Sequence, residues 1–333
     1  MHMADALLSP AVGGAMWAAT GATVAYSARK VREDLDESKI PLMGVAGAFV
    51  FAAQMVNFTI PGTGSSGHLG GALLLAILLG PEAAFLVMAS ILAVQALFFA
   101  DGGLLALGAN VFNLGFFPAF VAYPLVYRRI VGDGAALDRR RVIVGSLLAG
   151  IVGLQLGALG VVLETTASGV TELSFSSFLL VMLPIHLVIG VVEGLVTAAV
   201  VLFVHGAEPE LLTRSAAHKP LCGLRLGPVL VGLAVAALVA GGALSWLSST
   251  NPDGLEWSIA KVTGAEQSQP DSAARDAAAK ARERTARQPD DSAGAGEEGA
   301  ETEAGVVGAL IVLAGAGALG FALRRHSTAR ARA

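Results

Sequence analysis

Seven mainly apolar stretches, 6–28, 41–58, 69–79, 83–99, 104–126, 142–163 and 175–204, follow one another with only short polar breaks. Few folds accept such a chain. In a bilayer every backbone N–H and C=O must be paired within the protein, so only helices and closed barrels span it. Runs near twenty residues fit helices, whereas a barrel strand is about ten residues of alternating polarity. The third run is short for a span and is expected to borrow turns from its flanks or to sit where the bilayer is thinned. Only 14% of the residues are charged, against roughly 25% in soluble domains.

Two further runs, 228–247 and 305–323, enclose a different kind of segment. The tract 267–304 is rich in Ala, Asp, Glu, Ser and Arg, with too few apolar residues to fold alone. The expected fold is therefore an all-α polytopic membrane protein, a seven-helix bundle followed by a two-helix transmembrane hairpin with an extracellular loop. Residues 1–205 form the membrane domain, 206–227 a cytoplasmic linker, 228–323 the hairpin with a flexible loop at 248–304, and 324–333 a basic tail.

Basic residues set the orientation. Arg29, Lys30 and Arg32, then Arg128 and Arg129 with Arg139 to Arg141, then Arg214, Lys219 and Arg225 follow runs one, five and seven. These loops share a side if the helices alternate, and the positive-inside rule makes that side cytoplasmic. Arg324, Arg325, Arg330 and Arg332 place the C-terminus there too. The N-terminus and the Gly-rich loop 61–68 then face outward. The protein is expected in the bacterial plasma membrane, embedded in the lipid bilayer. A net charge of −4 gives no pointer to nucleic acid, and no nucleic-acid partner is expected.

Chemistry concentrates at the start of the chain. No basic segment precedes the first apolar run, so no cleaved signal peptide is expected. The large second residue should also spare Met1 from removal. The Met1 amine, the His2 amide nitrogen and His2 Nδ1 would then close a five- and a six-membered chelate ring. One more donor completes a square plane, the geometry preferred by Ni(II) and Cu(II). His68, in the outward loop, is the leading candidate. The sole cysteine, Cys222, excludes an internal disulfide framework and a multi-thiolate site.

Polar groups within the apolar runs are costly and mark pathways or structural bonds. Gln54, Asn57, Gln95, Asn110 and Asn113 share the outer depth, where their amides can orient an imidazole or bond between helices. His186 and Glu193 fall on one face of the seventh run. They are a second ligand pair, an ion pair or packing groups, and structure is favoured because both sit deeper than the outer site. Small residues recur at four-residue spacing as Ala11-Ala15-Ala19 and Gly44-Ala48-Ala52, allowing close approach of a helix or partner. An enzyme alternative rests on Gly64-Ser65-Ser66-Gly67, which fits a G-x-S-G serine hydrolase pattern with Ser66 as nucleophile and His186 as base. A structural membrane subunit without a ligand of its own is a further alternative. There is no HExxH zinc motif or Walker loop, so driven transport would need a separate engine.

The segments 1–10, 51–58, 64–71, 95–103, 108–113 and 186–194 together resemble the CbiM/NikM family, substrate-binding membrane components of energy-coupling-factor (ECF) transporters for cobalt and nickel. Pro252-Asp253-Gly254-Leu255-Glu256 resembles the small CbiN/NikN accessory subunit, here fused. The resemblance implies Ni²⁺ or Co²⁺ as transported ligand, with no organic cofactor. It implies metal donors at Met1, His2 and His68, and a hairpin loop that helps load the site. It also implies cytoplasmic ATPase subunits and a transmembrane coupling (T) subunit as partners, and no catalysis by this chain. The long acidic linker departs from the family pattern.

Overall fold

The computed structural model describes residues 2–33, 37–132, 137–171, 173–263 and 300–330. Its class is the expected one, all-α, and each apolar run carries a helix. In chain order these are α1 (Pro10–Glu33), α2 (Lys39–Gln54), α3 (Ala72–Leu79) and α4 (Pro81–Phe98). After them come α5 (Leu107–Val131), α6 (Arg139–Ser168), α7 (Phe175–Ala207) and the short α8 (Pro209–Ala216). The C-terminal part contributes α9 (Gly227–Leu247), α10 (Gly254–Thr263) and α11 (Ala300–Arg330). A two-stranded antiparallel ribbon, β1 (Phe58–Ile60) and β2 (Ser65–Gly67), lies between α2 and α3. Six of the described helices, α4, α5, α6, α7, α9 and α11, contain spans long and apolar enough to cross a membrane. Leu180, Val231, Val235 and Leu238 are exposed on α7 and α9, an arrangement that suits lipid rather than water.

The first run begins in a single 3-10 turn, Asp5–Leu7, and not in the long helix. The Ser9 hydroxyl accepts the Val12 N–H at 3.3 Å and Pro10 opens α1, the cap and first-turn proline that fix a helix start. The apolar residues before that stop, Met3, Leu7 and Leu8, are buried in the bundle. They anchor the N-terminal segment instead of lengthening the span.

The second and third runs also divide differently from expectation. At 1.5 Å per residue, α2 reaches roughly 24 Å and α3 roughly 12 Å, both short of a ~30 Å core. The third run borrows no helical turns from its N-terminal flank, which is the extended segment from β2 to Gly71. That segment and α3 are buried almost throughout, the condition under which non-helical backbone is tolerated at membrane depth. Gly71 (φ +81°) turns the chain into α3, and a Cβ there would collide with Val50. Gly80 (φ +89°) and Pro81 separate α3 from α4.

Close backbone approaches bring the elements together. Gly150 of α6 meets Gly190 and Gly194 of α7, where an added Cβ would lie 2.9 Å from the Gly190 oxygen. Thr20 of α1 donates to the Gly108 carbonyl of α5 at 2.6 Å. The Gly44-Ala48-Ala52 stripe is buried, and Gly44 faces Leu313 of α11. Ala11 and Ala15 of the other stripe are exposed.

The segment 248–263, expected to be part of a flexible loop, is ordered on the preceding domain. Ser249 N–H donates to the Asn57 carbonyl (2.8 Å), Asn57 N–H to the Ser248 hydroxyl (2.9 Å), and Ser66 N–H to the Pro252 carbonyl (2.8 Å). These bonds satisfy edge groups of the ribbon that would otherwise lack partners. The expected linker 267–304 lies outside the described residues as far as 299, and α11 is already helical at Ala300.

Candidate metal centre

Three loops converge where the chain begins. Asn110 of α5 clamps Met3 through both of its amide atoms: its Oδ1 accepts the Met3 N–H at 2.8 Å and its Nδ2 donates to the Met3 carbonyl at 3.1 Å. Gly103 N–H adds a second donor to that carbonyl at 2.9 Å. A Cβ on Gly103 would run into the Asp5 carboxylate, so only glycine admits the N-terminal segment there. Ala100 (φ +56°) and Gly102 (φ +89°) bend the 99–103 loop, turning Asp101 toward His2. The His2 Nδ1–H donates to Asp101 Oδ1 at 3.0 Å.

His68 is carried to the same point from the ribbon. The His2 and His68 rings stack, with centroids 4.9 Å apart and planes 7° from parallel. His68 Nδ1 lies 3.0 Å from the Leu69 carbonyl. That oxygen can only accept, so the ring proton sits on Nδ1 and the neutral ring keeps its lone pair on Nε2, the disposition of a ligating histidine. Glu193 of α7 secures the following residues by accepting the Gly70 N–H at 2.8 Å and the Gly71 N–H at 2.9 Å. Gln54 Nε2 donates to the Gly70 carbonyl at 2.7 Å, and Gln95 Nε2 donates to Gln54 Oε1 at 2.8 Å.

Burial, aided by the charge of His2, holds His68 well below the ordinary imidazole range, at about 3. Burial works against the Asp101 charge, yet His2 and His68 keep that carboxyl below its usual range. Below pH 6.5 the unfolded chain takes up a proton at His68 that the folded protein refuses. The stability from neutral His68 is therefore complete above about pH 6.5 and is lost as pH falls toward 3. Thermal melts from pH 7 to pH 4 are expected to show this loss, with His68 contributing up to about 1.4 kcal/mol per pH unit. A His68→Ala chain should have a flatter slope. Identical slopes would refute the assignment.

The other sequence candidates fall in several places. Met1 lies outside the described residues. The amides of Gln54 and Asn110 hold backbone near the imidazoles and Gln95 braces Gln54, and none of their described bonds reaches a ring. Asn57 bonds through its backbone to the 248–249 segment. Asn113 donates to Glu164 at 2.8 Å between α5 and α6. His186 donates from Nδ1 to the Met182 carbonyl at 2.8 Å, and Glu193 holds the His68 loop rather than pairing with His186. Among the described residues no group of three or more His, Cys, Asp or Glu side chains gathers as a metal site.

The sequence did not single out Asp101 as a site residue, and it named the 252–256 segment for loading without showing where it docks. The position of Asp101 next to two glycines was the available signal. Asp253 caps α10, with its Oδ1 accepting the N–H groups of Leu255 and Glu256 at 2.8 Å each. Glu256 returns the bond by accepting the Asp253 N–H at 3.1 Å, which completes a capping box. Gly254 follows the cap where the backbone presses on Ile185 and His186. Leu255 and Ile259 are buried, and α10 packs on α7.

The serine hydrolase alternative fails on geometry. The Ser66 hydroxyl donates to the Asn251 carbonyl at 2.8 Å, and His186 Nε2, the nitrogen that would act as base, has no hydrogen-bond partner among the described residues.

Comparison with known proteins agrees with this architecture. Residues 2–211 match the CbiM family, described as the cobalt uptake substrate-specific transmembrane region, and residues 227–325 match the PDGLE domain. The fused nickel transport protein NikMN of Rhodobacter capsulatus is 36% identical over 264 residues, covering 73% of this chain and 74% of its own. The cobalt transport protein CbiM of Sorangium cellulosum is 31% identical over 221 residues, covering 64% of this chain and 95% of its own. The crystal structure of a truncated transition metal transporter aligns with a TM-score of 0.55 at 33% identity, covering 62% of this chain and 99% of that one. The chain belongs to the CbiM family of cobalt and nickel transport membrane components, a transport subunit rather than an enzyme, and carries a PDGLE domain in the same polypeptide.

Proposed function

We propose that this chain captures Ni²⁺ or Co²⁺ at the outer face of the membrane for an ECF-type importer. The donors are the Met1 amine, the His2 amide nitrogen, His2 Nδ1 and His68 Nε2. The observation that carries this reading is the meeting of His2 and His68, with His68 Nδ1 already bonded to a carbonyl. The stacked rings lie in separate parallel planes, and a ligated ion lies in the plane of each imidazole. Capture therefore turns the His2 ring and exchanges its Asp101 partner for the metal. Loss of the amide proton makes affinity fall as pH drops. An all-nitrogen square plane disfavours Mg²⁺ and Ca²⁺. Relatives named for nickel and for cobalt keep both ions in the proposed range.

Residues 1–205 are the capture domain in this scheme, joined by the cytoplasmic segment 206–227 to the hairpin 228–323 and the inward tail 324–333. The hairpin loop helps load the site, supported by its bonds to Asn57 and Ser66. ATPase subunits and the T subunit drive inward release. The test is an uncleaved, histidine-free tag fused ahead of Met1, which turns the Met1 amine into a peptide nitrogen and hardly touches the fold. Ni²⁺ and Co²⁺ affinity measured by calorimetry should fall by at least the roughly 10–100-fold seen when a metal site loses an outer partner. Equal affinity with and without the tag would sink the reading.

A further inference from the structure

His68 shares a small cavity with His186, Gly70, Gly254, Leu114 and Leu154, about 10 Å³ of room for the centre of one water-sized sphere. That space admits a single water or a bare ion. His186 is 1% exposed. Its Nδ1–H is spent on the Met182 carbonyl, so the neutral ring presents an unprotonated Nε2. That nitrogen has no hydrogen-bond partner among the described residues, and an unmade buried bond is a cost that folding ordinarily avoids. Gly254 roofs the cavity: a Cβ there would sit 3.5 Å from His186 Cε1 and 2.5 Å from Ile185 Cγ2. Gly70, in the cavity wall, is fixed by its N–H bond to Glu193 at 2.8 Å. These are the parts of a nitrogen site for a borderline divalent cation.

We propose that His186 is a second ligand for the transported cation, receiving it in the cavity shared with His68 once it leaves the Met1–His2 chelate. This rests on the capture function proposed above. His68 would then belong to both stations, so the ion keeps one nitrogen throughout the transfer.

The test uses the full chain in detergent with its native N-terminus and Co²⁺ as probe, read by visible absorption. A His2→Ala chain should retain a weaker Co²⁺ site with imidazole-ligand bands. Adding His186→Gln should remove those bands and weaken binding by roughly tenfold or more. His186→Gln alone should slow Co²⁺ uptake by the complete transporter by a similar factor. Glutamine fills the space and keeps an amide near Nε2, so an unchanged melting temperature separates ligation from packing. Bands and affinity that survive His186→Gln would overturn the proposal and leave the cavity to water. Absence of any Co²⁺ site in His2→Ala would also overturn it. If His2→Ala binds Co²⁺ as tightly as the parent chain, capture at His2 fails instead, and the His186 comparison still reads independently.

Discussion

Replacing His68 with alanine is expected to abolish capture of Ni²⁺ and Co²⁺. The loss should exceed the roughly 10–100-fold that removing an outer partner costs, because a first donor disappears. In the proposed site His68 is the donor that the N-terminal chelate lacks, and it comes from a separate loop. Its Nδ1 proton is committed to Leu69, which leaves Nε2 as the coordinating atom. Glutamine cannot restore an imidazole nitrogen, so His68→Gln should fail as completely. Removing the buried imidazole should leave the fold intact, checked by circular dichroism. Uptake of radiolabelled metal by cells carrying the complete transporter is the direct readout. Full uptake with either substitution would end the assignment of His68.

Replacing Glu193 with alanine is expected to have the largest effect on stability. Its carboxylate is the described partner of the Gly70 and Gly71 N–H groups. Each donor left unpaired in the interior costs about 1–3 kcal/mol, so the pair predicts a loss of roughly 2–6 kcal/mol. Gly71 makes the turn into α3, and Gly70 lies two residues past His68, so the damage reaches the imidazole. Metal affinity should fall along with the melting temperature. Glu193→Gln keeps one amide oxygen to share between the two donors and should fall between alanine and the parent chain. An alanine variant that melts and binds like the parent would show that water or another group takes over both bonds.

Much of the fold was legible because lipid imposes a strong, local rule. Each apolar run yields a helix, and the all-α class follows from pairing the backbone without water. The helix limits were less legible. The first run was expected to start at residue 6, but Ser9 and Pro10 cap it later, and the apolar residues before the cap bury themselves against the bundle. The third run gave no sign that an extended segment, rather than borrowed helical turns, would lead the chain into α3. That conformation survives only because neighbouring helices bury it.

The candidate site shows the same division. Residue types alone singled out Met1-His2 and His68, since an amine, an amide and an imidazole in succession form a chelate by covalent geometry. The amide-bearing residues were expected to share one depth, but their partners were not foreseeable. Asn110 clasps Met3, and Gln54 and Gln95 form a relay to Gly70, because side chains at helix ends reach the nearest unpaired backbone. His186 and Glu193 share one face of α7, as their spacing requires. Only the folded chain decides that Glu193 bonds Gly70 and Gly71 while His186 turns an unpartnered nitrogen toward the His68 cavity. Sequence by itself determined a helical membrane protein and proposed the donor set at its N-terminus, because apolar length and covalent spacing act locally. Tertiary structure alone decided the His2–His68 stack, the Asp101 contact and the seat of the 251–256 segment, because each joins residues brought together only by helix packing.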